Sequence, residues 1–228
     1  MNTAIIVAAG TGKRFGSERP KQFLEILGKP VIIHTVERFE KCSSVDEIVL
    51  VLSSSGREEF ELISREVSFS KLTSIVIGGA TRVDSVRRGF SAVNTATEVV
   101  LVHDGARPLV TCSEIDATVE LASNTGAACL VGSVTDTIKR VDGSFIAETI
   151  DRTTLRRAYT PQAFKFDILR RALSSNEPDE NATDECYLVE KIGEPVSFVE
   201  GSSRNIKITH ADDLSLAEFY LRQEAKGI

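Results

Sequence analysis

The stretch AIIVAAGTGKRFGSERPKQF, Ala4 to Phe23, decides the fold. An apolar run rich in β-branched residues passes straight into small residues and glycines, followed by four cations, Lys13, Arg14, Arg19 and Lys21. A strand feeding a glycine turn is how phosphate-binding α/β folds begin. Two familiar versions fail here. A G-x-G-x-x-G fingerprint begun at Gly10 and Gly12 needs glycine where Phe15 stands, and a Walker loop ending at Gly12 and Lys13 needs glycine at Val7 and a hydroxyl at Arg14. What remains is a turn of Ala8, Ala9, Gly10 and Gly12, slim enough for a ligand to approach the backbone amides. In isolation the stretch reads equally as a glycine turn with solvated lysines.

Outward from it, similar apolar runs recur: Ile48 to Ser53, Ser74 to Ile77, Val99 to His103 and Ala127 to Gly132. Their near-continuous hydrophobicity predicts strands covered on both faces. Between them Val83, Val86, Phe90 and Val93 keep the spacing of one helix face, and helices are predicted after Pro30 and after Thr209. Alternating strands and helices imply a mostly parallel α/β sandwich, in which ligands bind beyond the carboxyl ends of the strands. The opening loop then lies at a binding edge.

The chain has 228 residues, 42% hydrophobic and 26% charged, enough for one large domain over 1–228 with a substantial core. No apolar run approaches the ~20 residues that span a bilayer, and the N-terminus lacks a basic leader, so no membrane association and a cytoplasmic location are expected. Lys and Arg number 27 against 33 Asp and Glu, a net charge of -6, which argues against a nucleic-acid surface. A bound anion must therefore be captured by a local cluster. The four cysteines, Cys42, Cys112, Cys129 and Cys186, show no metal-ligand or disulfide spacing and are expected to be buried thiols.

One segment breaks the rhythm. From Val134 to Ile150 the Asp142-Gly143 turn signal separates two short alternating runs, the pattern of a hairpin. Such an insertion either projects and pairs with a second subunit or lies flat on its own domain.

Several stretches carry possible chemistry. In VHDGARP, Val102 to Pro108, Asp104 at a strand end is a candidate Mg²⁺ ligand beside Arg107 as a phosphate contact, since Mg²⁺ takes one or two carboxylates plus substrate phosphates. Asp104 reads alternatively as a turn or cap residue, and His103 as a packed strand-end side chain. In GGATRVDSV, Gly78 to Val86, a helix start after two glycines could face an anion or a base edge, or Thr81 could simply cap the helix. Lys207 in NIKIT, Asn205 to Thr209, could be a solvent-facing strand lysine.

The conjunction says more than any one stretch. A-A-G-x-G-x-R, P-K-Q, G-G-x-x-R-x-D-S-V, V-H-D-x-A-R-P, D-T-I-K-R, T-P-Q-x-F, T-D-E and N-I-K-I-T, in this order across nearly the whole chain, resemble the 2-C-methyl-D-erythritol 4-phosphate cytidylyltransferase family. The resemblance implies a Rossmann-like nucleotidyltransferase sandwich with a protruding β-hairpin arm at 134–157, a homodimer formed through that arm, and Mg²⁺ as cofactor. It assigns CTP to Ala8, Ala9, Gly10, Gly12, Ala80, Asp84 and Ser85, with Arg14 and Lys21 on its phosphates. It assigns methylerythritol phosphate to Asp104, Arg107, Thr137, Thr160 and Thr183, with Arg152 and Lys207 holding the incoming phosphate, some of these residues reaching across the dimer. Cys186-Tyr187 departs from the smaller residues usual after T-D-E. A cytidylyltransferase for another polyol phosphate, such as ribitol 5-phosphate, would share most of the nucleotide-side motifs. A nucleotide sensor without turnover would not require cations on both partners.

Overall fold

All five apolar runs become strands of one sheet. The computed structural model describes residues 1–10, 19–65, 67–174 and 182–227. In chain order the strands are β1 (Asn2–Ala8), the short pair β2 (Glu25–Ile26) and β3 (Lys29–Pro30), β4 (Glu47–Leu52), β5 (Leu72–Ile77), β6 (Val99–Asp104), β7 (Ala127–Ser133), β8 (Ile138–Asp142), β9 (Phe145–Ile150), β10 (Arg156–Lys165) and β11 (Ser197–Glu200). The helices are α1 (Val31–Lys41), α2 (Ser54–Ile63), α3 (Arg82–Phe90), α4 (Cys112–Thr125), α5 (Phe166–Leu173), α6 (Glu185–Lys191) and α7 (Ala211–Glu224).

Seven strands form the main sheet in the order β11-β7-β10-β6-β1-β4-β5. Alternate side chains of each strand enter opposite cores, as a pleated strand requires. Ala4, Ile6 and Ala8 of β1 join α1, α2 and α4 on one face through Ile32, Phe39, Phe60 and Ile115. Ile5 joins α3, α5 and α6 on the other through Val86, Leu169 and Val189. Two covered faces explain the unbroken hydrophobicity of these strands. A third cluster, including Ile26, Leu109, Ile208 and Ala217, seats α7 near the end of the sheet where β6 terminates.

The sheet is parallel except at β10, which runs antiparallel between β6 and β7. Neither β10 nor β11 stands out as an apolar run. Proline inside a sequence argues against a central strand. Pro161 is tolerated because the pairing of β10 with β7 shifts register between Ala158 and Gln162. Asn205 to Thr209 is also not a strand, although it alternates; it is held as an extended connection by the Ile208 N–H donating to the Ala106 carbonyl at 2.9 Å.

The hairpin is present as β8 and β9, a two-stranded sheet of its own. Gly143 and Ser144 are the central turn residues, one position later than the Asp142-Gly143 signal, and Gly143 takes φ +57°, which glycine adopts without strain. Apart from Ile138 and Ile150 at its base every residue of the two strands is exposed, so the ribbon projects rather than lying flat. The chain then rejoins the main sheet at Arg156, paired with Ser133. Cys42, Cys129 and Cys186 are buried and Cys112 is half-buried, all as free thiols. Among the described residues no helix is long and apolar enough to cross a membrane.

Candidate functional site

The chain leaves β1 toward β4 and β5 on one side and returns to β6 on the other, which makes the β1/β6 boundary the point where strand order reverses. A crevice beyond the carboxyl ends is expected there. Asp104, the last residue of β6, lies in register with Val7, so Asp104 and the glycine turn after Ala8 flank the same edge.

The turn is fixed from below. Buried Gln22, in the short 3-10 turn Lys21–Phe23, donates from Nε2 to the carbonyls of Ala8 at 2.8 Å and Gly10 at 3.1 Å. Gly10 is exposed, with no atom of the described residues within 4 Å of where a Cβ would stand. Gly12 and Arg14 lie outside the described residues. Lys21 donates from Nζ to the Ile208 carbonyl at 2.5 Å, which brings it beside the segment that carries Lys207.

The loop after β5 packs against the loop after β1. A Cβ on Gly78 would stand 2.4 Å from that of Ala9, so glycine there lets the two loops touch. Thr81 and Asp84 form a capping box at the start of α3, and the bond from Thr81 holds the Asp84 carboxyl below its ordinary value. Ser85 Oγ accepts from the Gly79 N–H at 3.1 Å and donates to the Thr81 carbonyl at 2.9 Å. Asp84 and Ser85 thus shape the loop in which Ala80 is exposed.

Asp104 is 7% exposed and is the centre of the charge cluster. Its Oδ2 meets Lys207 Nζ at 2.8 Å and Arg107 Nε at 3.4 Å, while Oδ1 meets Arg82 Nε at 3.4 Å. Burial by itself would raise the Asp104 carboxyl, but Arg82, Lys207 and Arg107 outweigh it and hold it well below the ordinary carboxylate range. Arg107 is fixed in turn by the Asn205 carbonyl at 2.8 Å and by the Tyr159 ring, 5.0 Å from its guanidinium carbon. Thr160 supports Asp104 from behind: its Oγ1 accepts from the Asp104 N–H and bonds His103 Nδ1, both at 3.0 Å. His103 Nε2 faces the Arg107 carbonyl at 3.1 Å, which only accepts, so this nitrogen carries the proton and Nδ1 receives the threonine hydroxyl. Burial pushes His103 down to about 4, which keeps the ring neutral.

Two charged residues of the cluster, Arg82 and Glu185, were not singled out from sequence. Arg82 NH1 reaches Glu185 Oε1 at 2.5 Å, and Glu185 is fully buried. Burial pushes the Glu185 carboxyl above its ordinary value against the pull of Arg82. Both fall inside quoted motifs, G-G-x-x-R-x-D-S-V and T-D-E, and the available signal was a pair of opposite charges within stretches bound for the sheet edge. Gln162 orients the second motif, bonding Asp184 Oδ2 at 2.8 Å and accepting from the Glu185 N–H at 3.1 Å. Thr183 is exposed on the rim of a cleft of about 350 Å³ whose lining includes Cys129, Cys186 and Arg156.

Thr137 and Arg152 stand apart from this cluster. Thr137 is exposed near the base of the arm, and Arg152 donates to the Thr135 carbonyl. Among the described residues neither bonds Asp104, Arg107 or Lys207. No group of three or more His, Cys, Asp or Glu side chains among the described residues is disposed to hold a metal. A divalent cation here would depend on the single Asp104 carboxylate plus substrate oxygens, a donor set that suits Mg²⁺.

Comparison with known proteins places the chain in one family. The family model described as IspD, 2-C-methyl-D-erythritol 4-phosphate cytidylyltransferase, matches residues 2–223. A Bacillus velezensis protein of that name is 44% identical over 223 residues, covering 97% of this chain and 96% of its own. The crystal structure of 4-diphosphocytidyl-2C-methyl-D-erythritol synthase from Anaerococcus prevotii superposes with a TM-score of 0.84 at 27% identity, covering 97% of this chain and 96% of that one. That of the cytidylyltransferase from Thermus thermophilus gives 0.77 at 31% identity, covering 97% and 100%.

Proposed function

Since the chain belongs to the 2-C-methyl-D-erythritol 4-phosphate cytidylyltransferase family, we infer that it transfers the cytidylyl group of CTP to methylerythritol phosphate, releasing pyrophosphate, in non-mevalonate isoprenoid precursor synthesis. The supporting observation in this chain is a buried carboxylate, Asp104, flanked by Lys207 and Arg107 at the crevice that the glycine turn opens.

A phosphate oxygen of methylerythritol phosphate attacks the α-phosphorus of CTP. The bond from that phosphorus to the bridging oxygen breaks, and its electron pair leaves with pyrophosphate. A phosphate is a nucleophile at neutral pH, so no side chain need be deprotonated. The demand on the protein is to hold two anions in line and to stabilise charge as the leaving group departs. Arg14 and Lys21 meet the nucleotide phosphates, and the turn of Ala8, Ala9, Gly10 and Gly12 presents its backbone to them. The loop of Ala80, Asp84 and Ser85 borders the cytidine. Lys207 and Arg107 draw in the second phosphate, and Thr160 keeps Asp104 oriented. Mg²⁺, held by Asp104 together with substrate oxygens, would neutralise charge on the phosphates.

Thr137 and Arg152 complete the site from a second copy of the chain, which makes the enzyme a homodimer joined through the arm. The exposure of Phe145 (77%), Ile146 (66%) and Val141 (65%) supports this reading, since such residues gain by being covered. A cytoplasmic location suits an enzyme that consumes CTP.

Pyrophosphate release from CTP, assayed with methylerythritol phosphate and with ribitol 5-phosphate in parallel, tests the reaction. Release with the first and little with the second is expected. No release with either, or faster release with ribitol 5-phosphate, would overturn it.

A further inference from the structure

We propose that half-buried Arg82 and buried Glu185 form a positioning pair that sets the net charge around Asp104, and so divides the site's preference between a divalent cation and an anionic phosphate. The inference rests on the reading of Asp104 as the residue between those two ligands. Its basis is the way the two Asp104 oxygens are shared. The Lys207 and Arg107 contacts fall on Oδ2, on the side assigned to methylerythritol phosphate, whereas the Arg82 contact falls on Oδ1. Arg82 is the first residue of α3, directly after the loop assigned to the nucleotide. A cation approaching Asp104 from that side therefore competes with Arg82 for Oδ1.

Glu185 decides the outcome of that competition. It lies much closer to Arg82 than Asp104 does, 2.5 Å against 3.4 Å. Its second oxygen, Oε2, is buried without a hydrogen-bond partner among the described residues, an arrangement that in a native fold calls for a functional explanation. The unused oxygen is an acceptor to which the guanidinium can turn when Oδ1 is taken, because arginine carries five N–H donors in a planar fork. Glu185 also offsets one of three positive charges, so Arg82, Arg107 and Lys207 face two carboxylates rather than one. Placed on α6 immediately after Thr183 and Asp184, it ties the second-substrate side to the nucleotide side.

Removing either charge should move the two ligands in opposite directions, which a purely structural ion pair would not do. The full chain is compared with Glu185→Gln, Arg82→Gln and the double variant by two binding measurements without turnover. One is calorimetry of methylerythritol phosphate with neither nucleotide nor metal. The other is binding of Mn²⁺ in the presence of CTP, followed by the spin resonance signal of the free ion. Glu185→Gln should tighten the phosphate and weaken Mn²⁺, each on the order of tenfold for one unit of charge in a partly buried site. Arg82→Gln should do the reverse. The double variant should return both constants to within about threefold of the parent, as restored charge balance requires. Arg82→Lys, which keeps the charge and loses the fork, should also stay within about threefold. If Glu185→Gln does not fold, the two Arg82 variants still decide the matter.

Glu185→Gln or Arg82→Gln variants in which both ligands shift the same way, or neither shifts, overturn the proposal. Asp104→Asn separates the two layers of the argument. If it moves the constants while the Glu185 and Arg82 variants do not, only the role of the pair fails. If it too leaves them unchanged, the placement of Asp104 fails and the pair's role with it.

Discussion

Asp104 is 7% exposed and meets three cations of its own chain, whereas Phe145, beside the turn of the arm, is 77% exposed on a sheet of two strands. The first region is built within one chain. Its charges are drawn from β6, α3, the segment before α7 and α6, and each is fixed by packing of the main sheet. The second is a ribbon of a kind that is marginal by itself in water, carrying apolar side chains with little behind them. The charge centre is built by one chain, whereas Thr137 and Arg152, which belong to the proposed site, sit at the base of the ribbon rather than at Asp104.

The largest expected effect tests the complete region. Lys21→Ala and Asp104→Asn should each lower kcat by about 10² to 10³ while leaving the fold intact, the usual loss when one charge-stabilising group is removed. Steady-state kinetics beside circular dichroism checks this. An unchanged kcat for both variants would break the assignment.

The second experiment addresses the incomplete region. Lys21→Ala and Arg152→Ala, each nearly inactive alone, are co-expressed with different tags. If the site is shared, both lesions fall in one site of a mixed dimer and the other is intact, so about a quarter of all sites recover for random pairing. Purified mixed dimers no more active than the single variants would show that Arg152 serves its own chain.

A smaller effect concerns stability against pH. His103 is held neutral with its pKa near 4, against 6.5 for an ordinary histidine. Between those values the unfolded chain binds the proton and the folded chain does not, so stability falls as pH drops from 6.5 to 4 and levels below. The window corresponds to about 3 kcal/mol. Urea unfolding at pH 7 and pH 4.5 should show the loss, and His103→Gln should remove most of that slope. The Asp104 carboxyl is shifted down, so its stabilisation is present above the unfolded value and fades only in stronger acid.

The smallest effect belongs to the arm. Gly143→Ala introduces a side chain at φ +57° and should destabilise the turn by about 1 kcal/mol. Because the ribbon stands off the main sheet, the change should weaken dimerisation in sedimentation experiments and leave the melting of the protomer nearly unmoved. A drop in protomer melting temperature of several degrees would instead make the arm part of the core.

The five parallel strands, the hairpin and the family were legible in the sequence, because each is written in short-range periodicity or in motifs of a few residues. The helix face of Val83 and Val86 and the capping by Thr81 were legible for the same reason. Only the tertiary structure decided which charges meet. Lys21 lies 187 residues from Ile208 and Arg82 lies 103 from Glu185, and no local pattern encodes contacts at such separations. Strand β10 was hidden because Pro161 speaks against a strand unless the pairing register shifts around it, and that shift exists only when β7 is in place. The family resemblance assigns Thr160 to the second substrate; that its hydroxyl also engages His103 and the Asp104 amide arises only because β10 runs back beside β6. Burial, the quantity that turns these side chains from solvated charges into a site, is a property of the folded sheet and not of any stretch of chain.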